Sequence, residues 1–364
     1  MNEDMNQNNY QETNQEATPM LNPEPKKEKS TKIFAIILIV LLLIGGGFFT
    51  YKILTEKPSE PNNTEKEKEK EKKQEKDNIS NTVSPILYEV TKEGSTNKMY
   101  LFGSIHATKK DGIKYPEYVL NAYNNSHYIA CEVNIYDYQN NLEAQVNSTK
   151  QLLLTDGTTV KDHLSNETYT KAVDFLTKKK LYNKVYEAYS PYIFVSLITN
   201  SLVDDANLDT SNAVDMTFLK KATEDKKNII EVESIESQYK LLTSFDDTLY
   251  DLMLNENIDN YNTAVNDLKN LYEAWEKGDA TKLVTMAGDE LENKDEYTTE
   301  QKKVIEEYNN ALVNSRNNEM AKKAIQYFNN NQDVFYMVGI LHIIGDNGIA
   351  KQLENQGFTV KQVS

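Results

Sequence analysis

Two short apolar runs lie far apart in the sequence and end in the same motif, a glycine followed three residues later by a histidine. Runs of β-branched and aromatic residues of this length are typical of strands that are buried on both faces of a sheet. They predict a sheet that joins N-terminal and C-terminal segments of one domain. The motifs are Gly103-Ser104-Ile105-His106, after residues 99–102, and Gly339-Ile340-Leu341-His342, after residues 334–338.

The two histidines are candidates for one active site. A glycine at the carboxyl end of a strand allows a tight turn and a close backbone approach that a side chain would block. Each histidine is therefore expected just outside its strand, at the edge of an open α/β sheet where ligands bind. Two such strands side by side would bring His106 and His342 into one crevice. The alternative is that each is an ordinary loop histidine.

Hydrophobic periodicity predicts further elements on both sides of a long helical region. From residue 138 to residue 328 the pattern is mostly helical, with one strand-like interruption at residues 228–232. The predicted fold class is therefore α/β (α+β), with a central mixed sheet built from N- and C-terminal segments and a large helical insertion. The predicted strands outside the insertion are residues 87–91, 98–102, 128–133, 334–338 and 358–362. Individual helices are predicted at residues 116–124, 318–328 and 347–354.

Charge and cysteine content exclude several classes of protein. The formal net charge is −16, so a protein that binds nucleic-acid phosphates is not expected. Cys131 is the only cysteine, which excludes an intramolecular disulfide and any zinc site built on two or more cysteines. We expect a peptide or small-molecule substrate and no nucleic-acid partner.

Residues 33–51 are apolar and uncharged and are predicted as a single transmembrane helix, which needs roughly 17–25 residues. Residues 1–32 are polar and have the composition of a disordered tail. No small-residue cleavage site follows the apolar segment, so an uncleaved anchor is favoured over a signal peptide. The positive-inside rule places the tail in the cytoplasm, because four lysines precede the apolar segment: Lys26, Lys27, Lys29 and Lys32.

Residues 52–80 contain a run of alternating glutamate and lysine with few apolar residues, as in a solvated spacer. The globular, catalytic domain is predicted to occupy residues 81–364. This order of segments predicts a single-pass protein of the cell membrane. Its N-terminus would be cytoplasmic and its C-terminal domain extracytoplasmic.

Glu132 is a carboxylate at the end of an otherwise apolar strand, where carboxylates are rare unless they are paired or bind a ligand. With His106 and His342 it completes a two-histidine, one-carboxylate set, which is typical of a catalytic metal site with an open position. A divalent ion such as Mn²⁺, Co²⁺ or Zn²⁺ would activate water there. Without a metal, the same groups provide a general base and its orienting partner. A solvent-facing Glu132 is a third interpretation.

Arg316 is the only arginine among the 40 lysine and arginine residues of the chain. A single arginine in a chain that otherwise uses lysine is a candidate for a place that requires a planar, bidentate cation. Lysine cannot replace arginine at such a place. A chance surface arginine is the alternative.

In these motifs the chain resembles the TraB/GumN family, which includes the TIKI metalloproteases. The resemblance covers about residues 83–364, and the matching segments occur in the same order and with family-like spacing. The matching segments are residues 100–106, Tyr115-Pro116, Ala130-Cys131-Glu132-Val133, Asp215 with Phe218-Leu219 and Ala222, residues 231–238, Arg316-Asn317 with Met320-Ala321, and residues 339–348.

The resemblance implies a catalytic centre formed by His106, Glu132 and His342, which are also the expected metal ligands. It further implies supporting roles for Glu233 and Arg316. From the sequence alone, Glu233 is also explained as a carboxylate at the start of a helix, where the helix dipole favours negative charge.

The predicted function is a membrane-anchored, extracytoplasmic hydrolase, namely a metal-dependent peptidase that acts on a short peptide. Two other functions stay open: a non-catalytic protein that binds and sequesters a peptide or signal, and a metal-independent hydrolase. Asp215 matches a family position, although a charge on a helix face explains it equally well. His127 and His163 match nothing in the family pattern and are predicted to be surface or helix-packing histidines.

Overall fold

The computed structural model describes residues 82–288 and 297–364. Their strands are β1 (Leu87–Thr91), β2 (Met99–Ser104), β3 (Thr108–Lys109), β4 (Tyr128–Cys131), β5 (Leu208–Asp209), β6 (Asn228–Glu231), β7 (Val334–Gly339) and β8 (Thr359–Val363). Their α-helices are α1 (Glu117–Asn124), α2 (Ile135–Asn140), α3 (Leu142–Thr149), α4 (Val160–His163), α5 (Asn166–Lys178), α6 (Tyr192–Asp205), α7 (Val214–Glu224), α8 (Ile235–Leu242), α9 (Asp247–Asp259), α10 (Tyr261–Glu276), α11 (Ala280–Gly288), α12 (Thr299–Asn309), α13 (Ser315–Asn329), α14 (Ile340–Ile343) and α15 (Ile349–Asn355). Short 3₁₀ helices cover Lys150–Leu152 and Lys184–Ala188, and a π turn covers Asn310–Asn314.

Six strands form one mixed sheet in the order β6-β4-β7-β2-β1-β8. The four strands from β6 to β2 are parallel to one another, and β1 is antiparallel to both β2 and β8. In the register of the sheet, Ser104 lies opposite Gly339, and Cys131 lies opposite both Met337 and Glu231. The carboxyl ends of four strands therefore meet at one edge, although the strands come from distant parts of the sequence.

Helices cover both faces of the sheet, as the apolar character of its central strands requires. On one face the ring of Phe335 lies 5.1 Å from that of Phe102 and 5.3 Å from that of Phe218 in α7. On the other face the hydroxyl of Tyr336 donates to the carbonyl of Met320 in α13. Consecutive residues of β7 thus bury large rings in opposite layers, which explains why the whole strand is apolar.

The longest helix of the region between β4 and β7, α10, contacts strand β2 of the sheet. Trp275 of this helix is buried, and its indole Nε1 donates to the carbonyl of Gly103 at 2.9 Å. Lys109 Nζ contacts Glu276 Oε1 at 2.8 Å in the same region. The insertion therefore contacts the turn that carries His106.

The predicted α/β fold with a central mixed sheet is confirmed. Most differences lie at element boundaries, but the small two-stranded sheet of β3 and β5 and the short helix α14 were not predicted. The strand predicted for residues 128–133 ends at Cys131, so Glu132 follows the strand directly. The helix predicted for residues 318–328 begins at Ser315, because the chain enters it from α12 through a π turn and no cap separates the two helices.

The predicted tail, transmembrane helix and spacer, residues 1–32, 33–51 and 52–80, lie outside the described residues. Within residues 82–288 and 297–364, no helix combines the length and the apolar character that crossing a membrane requires.

Candidate functional site

The side chains predicted as site residues converge at the carboxyl edge of the four parallel strands. Each of these strands is followed by one such residue, because parallel neighbours end at the same edge of a sheet. Glu233 follows β6, Glu132 follows β4, His342 follows β7, and His106 follows β2. The fifth predicted residue, Arg316, reaches this edge from α13 on the covering layer.

Glu132 is 5 % exposed, and both of its carboxylate oxygens accept hydrogen bonds. The backbone N–H of Gly339 donates to Oε1 at 2.8 Å, and Arg316 Nη2 donates to Oε2 at 2.7 Å. Burial raises the pKa of this carboxyl group, and the adjacent carboxylate of Glu233 adds to that effect while Arg316 opposes it. Glu132 is thus a buried carboxylate that connects Gly339, the glycine of the second motif, with the arginine.

Arg316 has the bidentate geometry that a single arginine in a lysine-rich chain led us to expect. Its Nε and Nη2 atoms donate to the two oxygens of Glu233 at 2.7 and 2.6 Å. The same Nη2 contacts Glu132, and Nη1 donates to the carbonyl of Leu312 in the π turn at 3.2 Å. Burial alone would lower the pKa of this guanidinium, but the two carboxylates outweigh it and raise the pKa. One cation therefore holds two carboxylates from different strands.

Glu233 lies just before the N-cap residue of α8, Ser234, and its side chain faces the site. Besides Arg316 it accepts a hydrogen bond from Gln238 Nε2 at 2.7 Å. Burial would raise the pKa of Glu233, but the guanidinium outweighs burial and lowers it. The ion pair with Arg316 therefore accounts for this carboxylate better than the dipole of a helix start does.

His342 is fully buried, with an exposed fraction of 0 %. Its Nδ1 contacts Asn317 Oδ1 at 2.5 Å, while its Nε2 has no hydrogen-bond partner and lies 4.0 Å from Glu132 Oε1. Burial lowers the pKa of this imidazole well below its ordinary value, and repulsion by Arg316 and His106 lowers it further. The ring is therefore neutral at pH 7.

His106 is held in the same way by a different partner. Its Nδ1 contacts Asp215 Oδ2 at 2.6 Å, and its buried Nε2 has no hydrogen-bond partner. Burial lowers the pKa of His106, but attraction by Asp215 and then by Glu132 more than compensates, and the pKa is raised. The backbone N–H of Val214 donates to the carbonyl of Ile105, which fixes the start of α7 beside the histidine turn.

The second motif packs against the glycine of the first motif. A Cβ added at Gly103 would come within 2.2 Å of Ile340 Cδ1 and 3.1 Å of Ile340 Cβ. Ile340 directly follows the glycine of the second motif, Gly339, so the two turns are in contact. A larger residue at position 103 would require at least the side chain of Ile340 to move.

The two histidines are suitable metal ligands, whereas the carboxylate of Glu132 is bound to other groups. Two imidazole nitrogens that face a buried site, each on a ring whose other nitrogen is held by another residue, are a common metal-binding arrangement. However, the oxygens of Glu132 contact Arg316 and Gly339 rather than a shared position between the histidines. Within the part of the chain that the structure describes, no three His, Cys, Asp or Glu side chains form a ready metal-binding group.

Two residues of the site were given no role from the sequence. Asp215 was explained equally well as a charge on a helix face, and Asn317 was named only as part of a segment that matches the family. A helical aspartate or asparagine has no local pattern that reveals a distant histidine partner. The remaining histidines pair with acidic residues: His127 is largely exposed and contacts Asp333, and His163 contacts Asp247.

The fold and the site define an α/β protein with two histidines and an arginine-linked pair of carboxylates at the carboxyl edge of its sheet. A sequence profile of the TraB/PrgY/gumN family matches residues 86–362. The chain belongs to this family, which confirms the resemblance noted from its motifs. No protein of curated function and no solved structure matches the chain.

Proposed function

We propose that this protein is a membrane-anchored, extracytoplasmic hydrolase, a metal-dependent peptidase that acts on a short peptide. The observation that carries the proposal is the pair of buried Nε2 atoms of His106 and His342, neither of which has a hydrogen-bond partner. A buried nitrogen without a partner costs free energy. That cost is explained if the site binds a ligand at these two atoms.

In this proposal the chain's own residues have distinct roles. His106 and His342 would hold a divalent ion through Nε2, and Glu132 is the carboxylate closest to His342. Arg316 and Glu233 keep Glu132 at its position and balance its charge. A divalent ion supplies Lewis acidity, which activates water and polarises the carbonyl group of a substrate.

Metal dependence is tested by incubating the purified full-length protein with a mixed peptide library. Parallel samples contain Mn²⁺, Co²⁺, Zn²⁺ or EDTA, and products are identified by mass spectrometry. We expect cleavage only with metal. We also expect its loss in His106→Ala and His342→Ala, with the double variant no worse than either single one, because residues that act as a unit are not additive. The matched control is His127→Ala, which changes an exposed histidine.

A metal-independent hydrolase is the second candidate, and the contact between Asp215 and His106 favours it. A carboxylate behind an imidazole orients that ring and stabilises its cationic form. Cleavage that persists in EDTA and is lost in Asp215→Asn would support this candidate. Peptide that is retained but never cleaved, with or without metal, would instead support a protein that only binds and sequesters its ligand.

The membrane anchor is proposed from the apolar segment at residues 33–51 and the lysines before it. Protease added to intact cells is expected to cut within residues 52–80 and release the folded domain. Protection of the domain until the cells are lysed would show that the proposed orientation is wrong.

A further inference from the structure

The side chain of Asn317 lies buried between the imidazole of His342 and a backbone carbonyl. It is only 1 % exposed. Its Oδ1 is 2.5 Å from His342 Nδ1, and its Nδ2 donates to the carbonyl oxygen of Asn347 at 2.9 Å. Both ends of the amide are therefore in use, and neither contact involves water.

These two contacts determine where the proton of His342 is. The carbonyl of Asn347 can only accept, so the amide group of Asn317 must present its N–H₂ to it. Oδ1 then faces His342, and because Oδ1 also only accepts, the ring must carry its proton on Nδ1. A neutral imidazole with the proton on Nδ1 has a lone pair on Nε2. This is the atom that lies beside Glu132 without a partner.

We propose that Asn317 is a positioning residue that fixes His342 in the Nδ1–H tautomer, so that the Nε2 lone pair faces the centre. The use of that lone pair as a metal ligand rests on the proposed function. The tautomer itself follows from the hydrogen bonds alone. Asn317 does not touch the centre and acts only through His342.

The surroundings of Asn317 hold the amide in this orientation. The carbonyl of Asn347 also accepts from Gln352 Nε2 at 2.9 Å, and the side chain of Asn347 donates to Asn314 Oδ1 at 3.2 Å. Asn314 closes the π turn, and Asn317 follows it on α13. A flip of the amide would leave the Asn347 carbonyl facing an amide oxygen, without the hydrogen bond from Asn317. The observed orientation is therefore the one in which both ends of the Asn317 amide have a partner.

Two neighbouring residues of α13 hold different side chains of the site. Arg316 holds Glu132 and Glu233, while Asn317 holds His342. A π turn at the entrance of a helix changes which residues face a site, and such turns occur often at functional sites. The first turn of α13 therefore positions both the carboxylate of Glu132 and the imidazole of His342.

The tautomer is measured by long-range ¹H–¹⁵N correlation NMR on the full-length protein, labelled with ¹⁵N only at histidine and treated with EDTA. The chain has four histidines, so His342 is assigned by the loss of one ring in His342→Ala. In the wild-type protein we expect a protonated Nδ1 and an unprotonated Nε2. A proton on Nε2 of the wild-type ring would overturn the proposal without any variant.

The variants test whether Asn317 is the cause. Asn317→Leu has a similar shape but no acceptor, so we expect His342 to lose the single Nδ1–H form. Asn317→Asp keeps an acceptor and should keep the proton on Nδ1. The matched control is Asn318→Leu, which changes the exposed neighbour on the same helix and should leave the ring unchanged. An unchanged tautomer in a folded Asn317→Leu protein would contradict the proposal.

Calorimetric titration with Zn²⁺ or Mn²⁺ separates this inference from the proposed function. Loss of a residue that orients a ligand typically weakens metal binding about 10- to 100-fold, and we expect this for Asn317→Leu and not for Asn318→Leu. Equal metal affinity of Asn317→Leu and the wild type would count against the positioning role. A wild-type protein with the expected tautomer but no metal binding would support the role of Asn317 and contradict the proposed function.

Discussion

The conservative substitution Arg316→Lys should damage this protein although it keeps the charge. The guanidinium of Arg316 donates to both oxygens of Glu233, to Glu132 and to the carbonyl of Leu312. A lysine ammonium is a point cation and has no planar fork. It can approach one of the carboxylates closely, but it cannot span the acceptors of two strands and of the π turn.

The size of the effect follows from these contacts. At least two hydrogen bonds to charged groups would be lost, at roughly 1.5–3 kcal/mol each. The retained charge recovers part of this loss, whereas complete removal of one partner of a buried pair costs about 3–5 kcal/mol. We therefore expect Arg316→Lys to lower the free energy of unfolding by about 2–4 kcal/mol. A displaced Glu132 should also lower kcat/KM by about 10- to 100-fold, or ~1.4–2.7 kcal/mol.

The stability change is measured by urea unfolding, followed by the fluorescence of Trp275, the only tryptophan of the chain. Lys322→Arg is the matched control, because it makes the reverse change at an exposed pair with Glu319 on the same helix. It should shift stability by less than about 0.5 kcal/mol. A double-mutant cycle that combines Arg316→Lys with Glu233→Gln should give a coupling free energy of roughly 1 kcal/mol or more.

If Arg316→Lys has the urea midpoint and the kcat/KM of the wild type, the prediction is refuted. The planar, bidentate guanidinium would then not be required at this position. A lower urea midpoint with normal activity per folded molecule would show that Arg316 stabilises the fold. It would contradict the proposal that Arg316 positions Glu132 for catalysis.

Two further predictions concern contacts outside the centre. Trp275→Phe removes the donor to the carbonyl of Gly103 and should cost about 1–3 kcal/mol, measured by circular dichroism during urea unfolding; no change would show that this contact does not attach the insertion to the sheet. A hydrogen bond from Lys179, with another from Tyr261, lowers the pKa of Asp205. The ionised Asp205 therefore stabilises the fold at pH values above its pKa in the unfolded chain, roughly 3.9. This stabilisation is lost as the pH falls through the lower pKa that Asp205 has in the folded protein. Asp205→Asn should cost less than about 1 kcal/mol at pH 7 and nothing in strong acid; a deficit of equal size at both pH values would argue against this ion pair.

The local elements of the sheet were predictable because their patterns are local. Strands β1 and β2, the apolar run of β7 and the last strand β8 were all predicted within one or two residues. Apolar runs and turn residues act over a few positions, so a short window of sequence contains the information. The boundary of α13 was not predictable in this way, because the π turn before it lacks a capping signal.

The grouping of the site was predictable only in part. Repetition of one motif at two strand ends indicated that His106 and His342 belong together, and the single arginine indicated a bidentate contact at Arg316. The family resemblance grouped Glu132, Glu233 and Arg316 in one site. That one guanidinium holds both carboxylates did not follow from the sequence, because Glu132 and Glu233 become neighbours only when β4 and β6 pair in parallel.

The sequence by itself determined the strand-forming runs, the glycine turns after them and the types of side chain at their ends. Only the tertiary structure decided the order β6-β4-β7-β2, and with it the partners of each site residue. Strand order and register depend on packing between segments that are distant in sequence, and one-dimensional patterns do not record that packing. Asp215 and Asn317 show this most clearly. Nothing near either residue in the sequence indicates a histidine, and each meets its imidazole only because a helix is packed against the end of a strand.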